Sequence, residues 1–176
     1  VKDNPVPTRP RFLLVEDNEM NQKIVVKMLE KRGMYCDIAC SGAEALKALQ
    51  QKEYDIVFMD CQMPEMDGYE TTAKIRQMEG EDRHTIIVAM TANAMEGDRE
   101  KCLQAGMDDY ISKPVDFQVL FSIIDQYTTR QQDFVSKAAA MLEESLSSFI
   151  AETGLPEADS RELYDRLWAT LPGVLE

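Results

Sequence analysis

The stretch IVFMDCQMPEMDG, residues 56–68, runs apolar, ends on a carboxylate and breaks into a loop. Ile56 to Met59 is too short for a helix and does not alternate with polar residues, as expected of a strand buried on both faces of a sheet. Met63, Pro64 and Gly68 set loop shape, since proline fixes φ and glycine permits a tight turn. The pattern recurs outward in both directions. Phe12 to Val15, Tyr35 to Ala39, Ile86 to Met90 and Asp109 to Ile111 are also short apolar runs, separated by longer segments of helical period. This alternation from Arg11 to Tyr127 builds βα units on a parallel sheet, with Tyr35 to Ala39 at its edge.

Between the runs, Met20, Ile24, Met28 and Leu29 give a first helix its apolar face, and Gly33 ends it. Ala45, Leu46 and Leu49 do the same for a second helix capped by Ser41. A third runs from Tyr69 to Met78 and a fourth from Met95 to Ala105, where Gly106 stops it. A fifth carries Val119, Leu120, Ile123, Ile124 and Tyr127. Right-handed crossovers place these helices on both faces, giving a three-layer, doubly wound α/β fold over residues 11–127. Val1 to Pro10 reads as a linker at the front of a segment cut from a longer protein. Residues 128–176 read as a helical extension or the start of a following domain, with Phe134, Val135, Ala138, Met141, Leu142 and Phe149 at helical spacing.

Composition removes several function classes. The 19 Lys and Arg against 32 Asp and Glu leave a net charge of −13, which repels nucleic-acid phosphates and anionic membrane surfaces. No apolar stretch is long enough to span a bilayer, so a soluble, cytoplasmic segment is expected. Cys36, Cys40, Cys61 and Cys102 form no CxxC pair and read as packing residues, the alternative for Cys61, directly after Asp60, being exposure at a site's rim. His84, in a polar loop before a strand, reads as solvated.

The chemistry lies in where the polar residues fall. Glu16 and Asp17 follow the first apolar run, Asp60 the third, Thr91 the fourth and Lys113 the fifth. All lie at strand C-terminal ends, where an open α/β sheet binds its ligands. A lone Asp there is ordinarily a turn or cap residue; the convergence argues otherwise. Carboxylates crowded together repel unless a cation holds them, and hard oxygen donors suit Mg²⁺. By this logic Asp60 is a nucleophile toward phosphorus and Glu16 and Asp17 hold metal. Lys113 neutralises developing charge on phosphoryl oxygens, and Thr91 offers one of them a hydroxyl.

These fragments, LLVEDN (13–18), FMDCQMPEMDG (58–68), AMTANA (89–94) and YISKPV (110–115), together resemble the receiver domain of two-component response regulators. The resemblance covers Arg11 to about Tyr127. It implies the CheY-like, flavodoxin-like strand order 2-1-3-4-5. It further implies that Asp60 accepts a phosphoryl group from a phosphohistidine on a histidine kinase or histidine phosphotransfer domain. Mg²⁺ would be bound by Asp17, Asp60 and the backbone carbonyl of Gln62, with Glu16 acting through water. Thr91 and the ring of Tyr110 would move on phosphorylation and remodel the face of the fourth helix, fifth strand and fifth helix, where a homodimer would also form. The Lys113–Pro114 peptide is expected to be cis. The first acid departs mildly from the pattern, Glu16 standing where Asp is also common.

The Pro-rich leader and the absence of a basic output domain fit a phosphorelay receiver taken from a hybrid sensor histidine kinase. Pro156 to Glu176 faintly resembles the opening helix of a histidine phosphotransfer domain. Two other classes compete. A phosphatase working through an aspartyl-phosphate normally carries its nucleophile in a DxD motif after the first strand, whereas Asp60 follows the third and is succeeded by Cys61 and Gln62. An interaction scaffold that has lost phosphorylation would not need the acidic cluster, Thr91 and Lys113 intact.

Overall fold

The computed structural model describes residues 10–80, 83–92 and 96–129, together with isolated helical positions between Lys137 and Ser148. Five strands, β1 (Phe12–Val15), β2 (Cys36–Ala39), β3 (Ile56–Asp60), β4 (Ile86–Thr91) and β5 (Asp109–Ser112), pair in parallel in the order β2-β1-β3-β4-β5. Helices α1 (Glu19–Glu30), α2 (Gly42–Gln51), α3 (Gly68–Glu79) and α4 (Glu96–Gln104) alternate with them. A fifth helix, α5, follows β5 from residue 117, with its amide groups at Gln118 and Val119 capped by Asp116.

The expected order and edge strand are therefore observed. Three strands extend one residue further than expected, to Asp60, Thr91 and Ser112, so two polar site candidates sit inside the ladder. The chain separates into two units, residues 9–125 and the two ends taken together (1–8 and 126–176). The expected tail helices lie almost wholly outside the described residues, where of their seam only the Met141 side chain is described, and it is exposed. Among the described residues no helix is long and apolar enough to cross a membrane.

The chain steps outward from β1 to β2 and then back across β1 to β3. Right-handed crossovers put α1 on one face and α2, α3 and α4 on the other. Contacts agree: α2 packs on α3, while Arg32 at the end of α1 meets Asp125 of α5 with two bonds of 3.1 Å. That corner is tightened further, with Arg32 over the Phe121 ring at 4.3 Å and Lys31 over Phe117 at 5.6 Å. Strand residues alternate between the two sides. Leu13, Val15, Val57, Met59, Ile87 and Ala89 join Ala45, Leu49 and Ile75 in one cluster; Phe12, Leu14, Phe58, Val88 and Met90 are also buried, with Phe12 and Phe58 rings 6.1 Å apart.

The helix faces correct two expectations. In α1 the buried residues are Gln22, Val25 and Leu29, whereas Met20 and Ile24 are 65% and 46% exposed. At about 100° per residue Met20 lies half a turn away from Leu29, so the apolar positions of α1 form two stripes on opposite sides. In α5 Val119 is exposed and Phe121, next to Leu120 and Ile124, is buried instead. Gly33 does close α1, at φ +67 with its amide donating to the Glu30 carbonyl.

At the N-terminal ends of β4 and β5, Arg76 of α3 spends most of its guanidinium. It donates to the carbonyls of Gly106 and Thr85, both at 2.9 Å, and to Glu79 Oε2 at 2.5 Å and Asp108 Oδ2 at 2.9 Å. His84 is exposed, as expected, and also places Nε2 2.5 Å from Asp108 Oδ1. Burial alone would raise the Glu79 pKa, but hydrogen bonds from Thr85 and then the charge of Arg76 outweigh it and hold the carboxyl below its usual value.

Gly68 needs its missing side chain: a Cβ there would stand 2.2 Å from the Asp60 carbonyl oxygen, backbone that cannot yield. Gly68→Ala is expected to destabilise the fold by about 3 kcal/mol, against about 1 kcal/mol for Gly33→Ala, where only the positive φ is at stake. Urea denaturation of both variants checks the ranking. Because its folded pKa is depressed, Glu79 contributes stability above its unfolded value of about 4.3 and loses it as pH falls through the folded one. Denaturation curves collected from pH 6 down to 3 should therefore depend less on pH in Glu79→Gln than in the wild type.

Candidate functional site

The order reversal between β1 and β3 opens a crevice at the strands' C-terminal ends. Backbone bonds carry the ladder one residue past the strands: Glu16 N donates to Ala39 O (3.1 Å), Cys61 N to Met90 O (3.0 Å) and Lys113 N to Thr91 O (2.7 Å). The residues at the mouth are thus set by the sheet rather than by free loops. Asn18 starts α1 immediately after Asp17, its side chain accepting from Met20 N and Asn21 N at 2.9 and 3.2 Å. Asp67 caps α3 likewise, accepting from Glu70 N at 2.8 Å, and Gly68 N closes the intervening loop onto Cys61 O at 3.2 Å.

Within this frame one carboxylate oxygen each from Glu16, Asp17 and Asp60 lies within 4.8 Å of the others. Glu16 and Asp60 are buried, at 1% and 4% exposure, and Asp17 is open to solvent. Lys113 reaches both buried acids, with Nζ 2.7 Å from Glu16 Oε2 and 2.7 Å from Asp60 Oδ2. The Gln62 amide donates to the other Asp60 oxygen, Oδ1, at 3.0 Å. Burial raises the Asp60 pKa, and the hydrogen bonds from Lys113 and Gln62 only partly oppose it. Burial alone would lower Lys113, but its bonds to Asp60 and Glu16 prevail and hold its pKa above the ordinary value, so it stays an ammonium.

One ammonium does not balance three carboxylates. Two like charges at 4.8 Å repel by about 3 kcal/mol at an effective dielectric constant of about 20. An oxygen-only donor set with surplus negative charge, one member facing solvent, fits a hard divalent cation such as Mg²⁺. Thr91, at the end of β4, is 6% exposed and its backbone is bonded to Lys113. Tyr110 lies in β5 opposite Ala89 and is partly buried against the core. The Lys113–Pro114 peptide is cis. Cys61 does not line the rim: it is 2% exposed, and burial, then the neighbouring Cys102, push its thiol up to about 12. Cys102 is also buried, Cys36 is half-buried with its thiol raised to about 11 by burial, then Asp37 and Glu30, and Cys40 is exposed.

A family model, the response regulator receiver domain, matches residues 12–125, more than half of the chain. The chain belongs to the response-regulator receiver family. It is 47% identical over 119 residues to the hybrid signal transduction histidine kinase G of Dictyostelium discoideum, covering 66% of this chain and 4% of that protein. The chain therefore spans a small fraction of the curated relatives it matches. Among solved structures it resembles the receiver domain of a sensor histidine kinase from Pseudomonas aeruginosa PAO1, whose active-site cleft coordinates a magnesium ion. That likeness has a TM-score of 0.63 and 39% identity, over 69% of this chain and 99% of that one. It also resembles the receiver of the Saccharomyces cerevisiae regulator Ssk1, solved with the histidine phosphotransfer protein Ypd1, at TM-score 0.65 and 33% identity over 70% of this chain and 91% of that one.

As a receiver of the two-component phosphorelay class, the chain holds further polar groups that periodicity and motifs do not reveal. Asn21 Nδ2 donates to Glu16 Oε1 at 2.9 Å, and Gln22 Nε2 to the Glu16 carbonyl at 2.7 Å. The available signal is two adjacent amides, three and four positions after the helix cap Asn18, where an apolar face is expected. Removing the ammonium tests the charge balance. Lys113→Met, which leaves two buried carboxylates facing each other, should lower stability by about 3 kcal/mol in urea denaturation without divalent metal.

Proposed function

We propose that this receiver takes a phosphoryl group onto Asp60 and uses it to switch conformation. The observation that carries the reading is the environment of that carboxylate: buried, bonded at Oδ2 by Lys113 and at Oδ1 by the Gln62 amide, and within reach of two more acids. A carboxylate so held is a positioned nucleophile that has few competing conformations. Its oxygen attacks the phosphorus of a phosphohistidine, the P–N bond breaks with its electron pair going to the ring nitrogen, and the imidazole, already protonated at its other nitrogen, leaves neutral. The product is a mixed anhydride on Asp60.

Asp17, Asp60 and the Gln62 carbonyl would hold Mg²⁺, with Glu16 acting through water, and the ion would neutralise charge on the phosphoryl oxygens. Lys113 faces one phosphoryl oxygen with its ammonium, exchanging part of its contact with Asp60 for that new charge. The Thr91 hydroxyl serves another, and Tyr110 turns inward behind it, which carries the change to the face formed by α4, β5 and α5. The partner is a histidine kinase or histidine phosphotransfer domain, supported by the Ssk1 receiver solved with Ypd1. Kinship to hybrid kinases supports a hybrid sensor kinase as the parent, with residues 11–127 as the receiver and 128–176 as a helical extension or the start of the next domain.

Intact-mass spectrometry after incubation with acetyl phosphate and Mg²⁺ tests the reading. A single Mg²⁺-dependent phosphoryl adduct is expected in the wild type and is lost in Asp60→Ala. An unmodified wild-type chain with its fold intact would instead favour a scaffold that no longer accepts phosphate.

A further inference from the structure

Glu16 is held from three directions at once. Its Oε2 accepts from Lys113 at 2.7 Å, its Oε1 from Asn21 Nδ2 at 2.9 Å and from the Asn18 amide at 3.3 Å, and its backbone carbonyl from Gln22 Nε2 at 2.7 Å. Lys113 fixes one oxygen, and the Asn18 amide holds the other only through a long bond of 3.3 Å. Asn21 adds the shorter bond to that oxygen, from the first turn of a helix whose start is pinned by Asn18. Asparagine is a poor helix former relative to alanine, so its place in α1 is not explained by the helix itself. Nor is it explained by packing, since the buried residues of α1 are Gln22, Val25 and Leu29.

We propose that Asn21 is the positioning residue that orients the Glu16 carboxylate toward the cation, making the longer Glu serviceable where a shorter acid is also common. The inference rests on the receiver reading above. Asn21 is not among the residues whose carboxylate oxygens converge, and it would act only through Glu16. Its amide spans to Oε1 because Glu16 has the extra methylene; an aspartate at the same backbone position ends one carbon short of that bond.

The test is a double-mutant cycle read by Mg²⁺ affinity rather than by phosphorylation, using isothermal titration calorimetry on the full chain. Asn21→Ala is expected to weaken Mg²⁺ binding about tenfold, as losing an outer partner of a ligating carboxylate commonly does. In a Glu16→Asp background the same substitution should change the affinity less than about twofold, since the bond it deletes is already gone. A role confined to helix structure would shift both backgrounds equally, and that outcome overturns the inference, as does an Asn21→Ala affinity equal to wild type. Thermal melting without Mg²⁺ should show Asn21→Ala folded as well as the wild type. If the wild type itself binds no Mg²⁺ and takes no phosphoryl group, the receiver reading fails first and the inference falls with it.

Discussion

A single ammonium, that of Lys113, lies 2.7 Å from a carboxylate oxygen of Glu16 and 2.7 Å from one of Asp60. Those acids follow β1 and end β3, neighbouring strands inside the sheet, while the lysine arrives from beyond β5 at the far side. Two buried carboxylates cannot remain ionised side by side in a protein interior without such a partner. The ion pair thus ties three strand ends together across the sheet. The arrangement is a ground state suited to being disturbed, since an ammonium has no fixed fork and can follow a new negative charge as it appears.

The opposite end of the sheet shows the contrasting choice. Arg76 meets two carbonyls and two carboxylates with donors fixed in a plane, which welds α3 to the starts of β4 and β5. A planar guanidinium with nearly every direction used has little room to respond to anything. The base of the sheet is thus held by a planar donor set and the mouth by a single ammonium with no fixed fork.

Periodicity accounts for most of what is legible in the sequence. Strands buried on both faces announce themselves as unbroken apolar runs, and acids and bases placed after such runs converge whatever the loops do between them. Strand order needs the family resemblance, because parallel strands of similar composition are interchangeable by pattern alone. The face of α1 is misleading because methionine and isoleucine on the outer side have the same spacing as a core stripe, and the true stripe includes the polar Gln22. Asn21 and His84 escape a reading of the sequence for a shared reason. Each is bonded to a residue that its local pattern does not point to, Asn21 to Glu16 back across the start of α1 and His84 to Asp108 in another loop.

The four cysteines carry a practical consequence. Cys61 and Cys102 are sealed in the core and Cys36 is half-covered, which leaves Cys40 as the open thiol. It sits just past the end of β2, with its sulfur 3.5 Å from the Gln22 amide of α1. Cys40 is thereby the most open of the four thiols, so a fluorophore or spin label attached there would watch the first helix from its own doorstep.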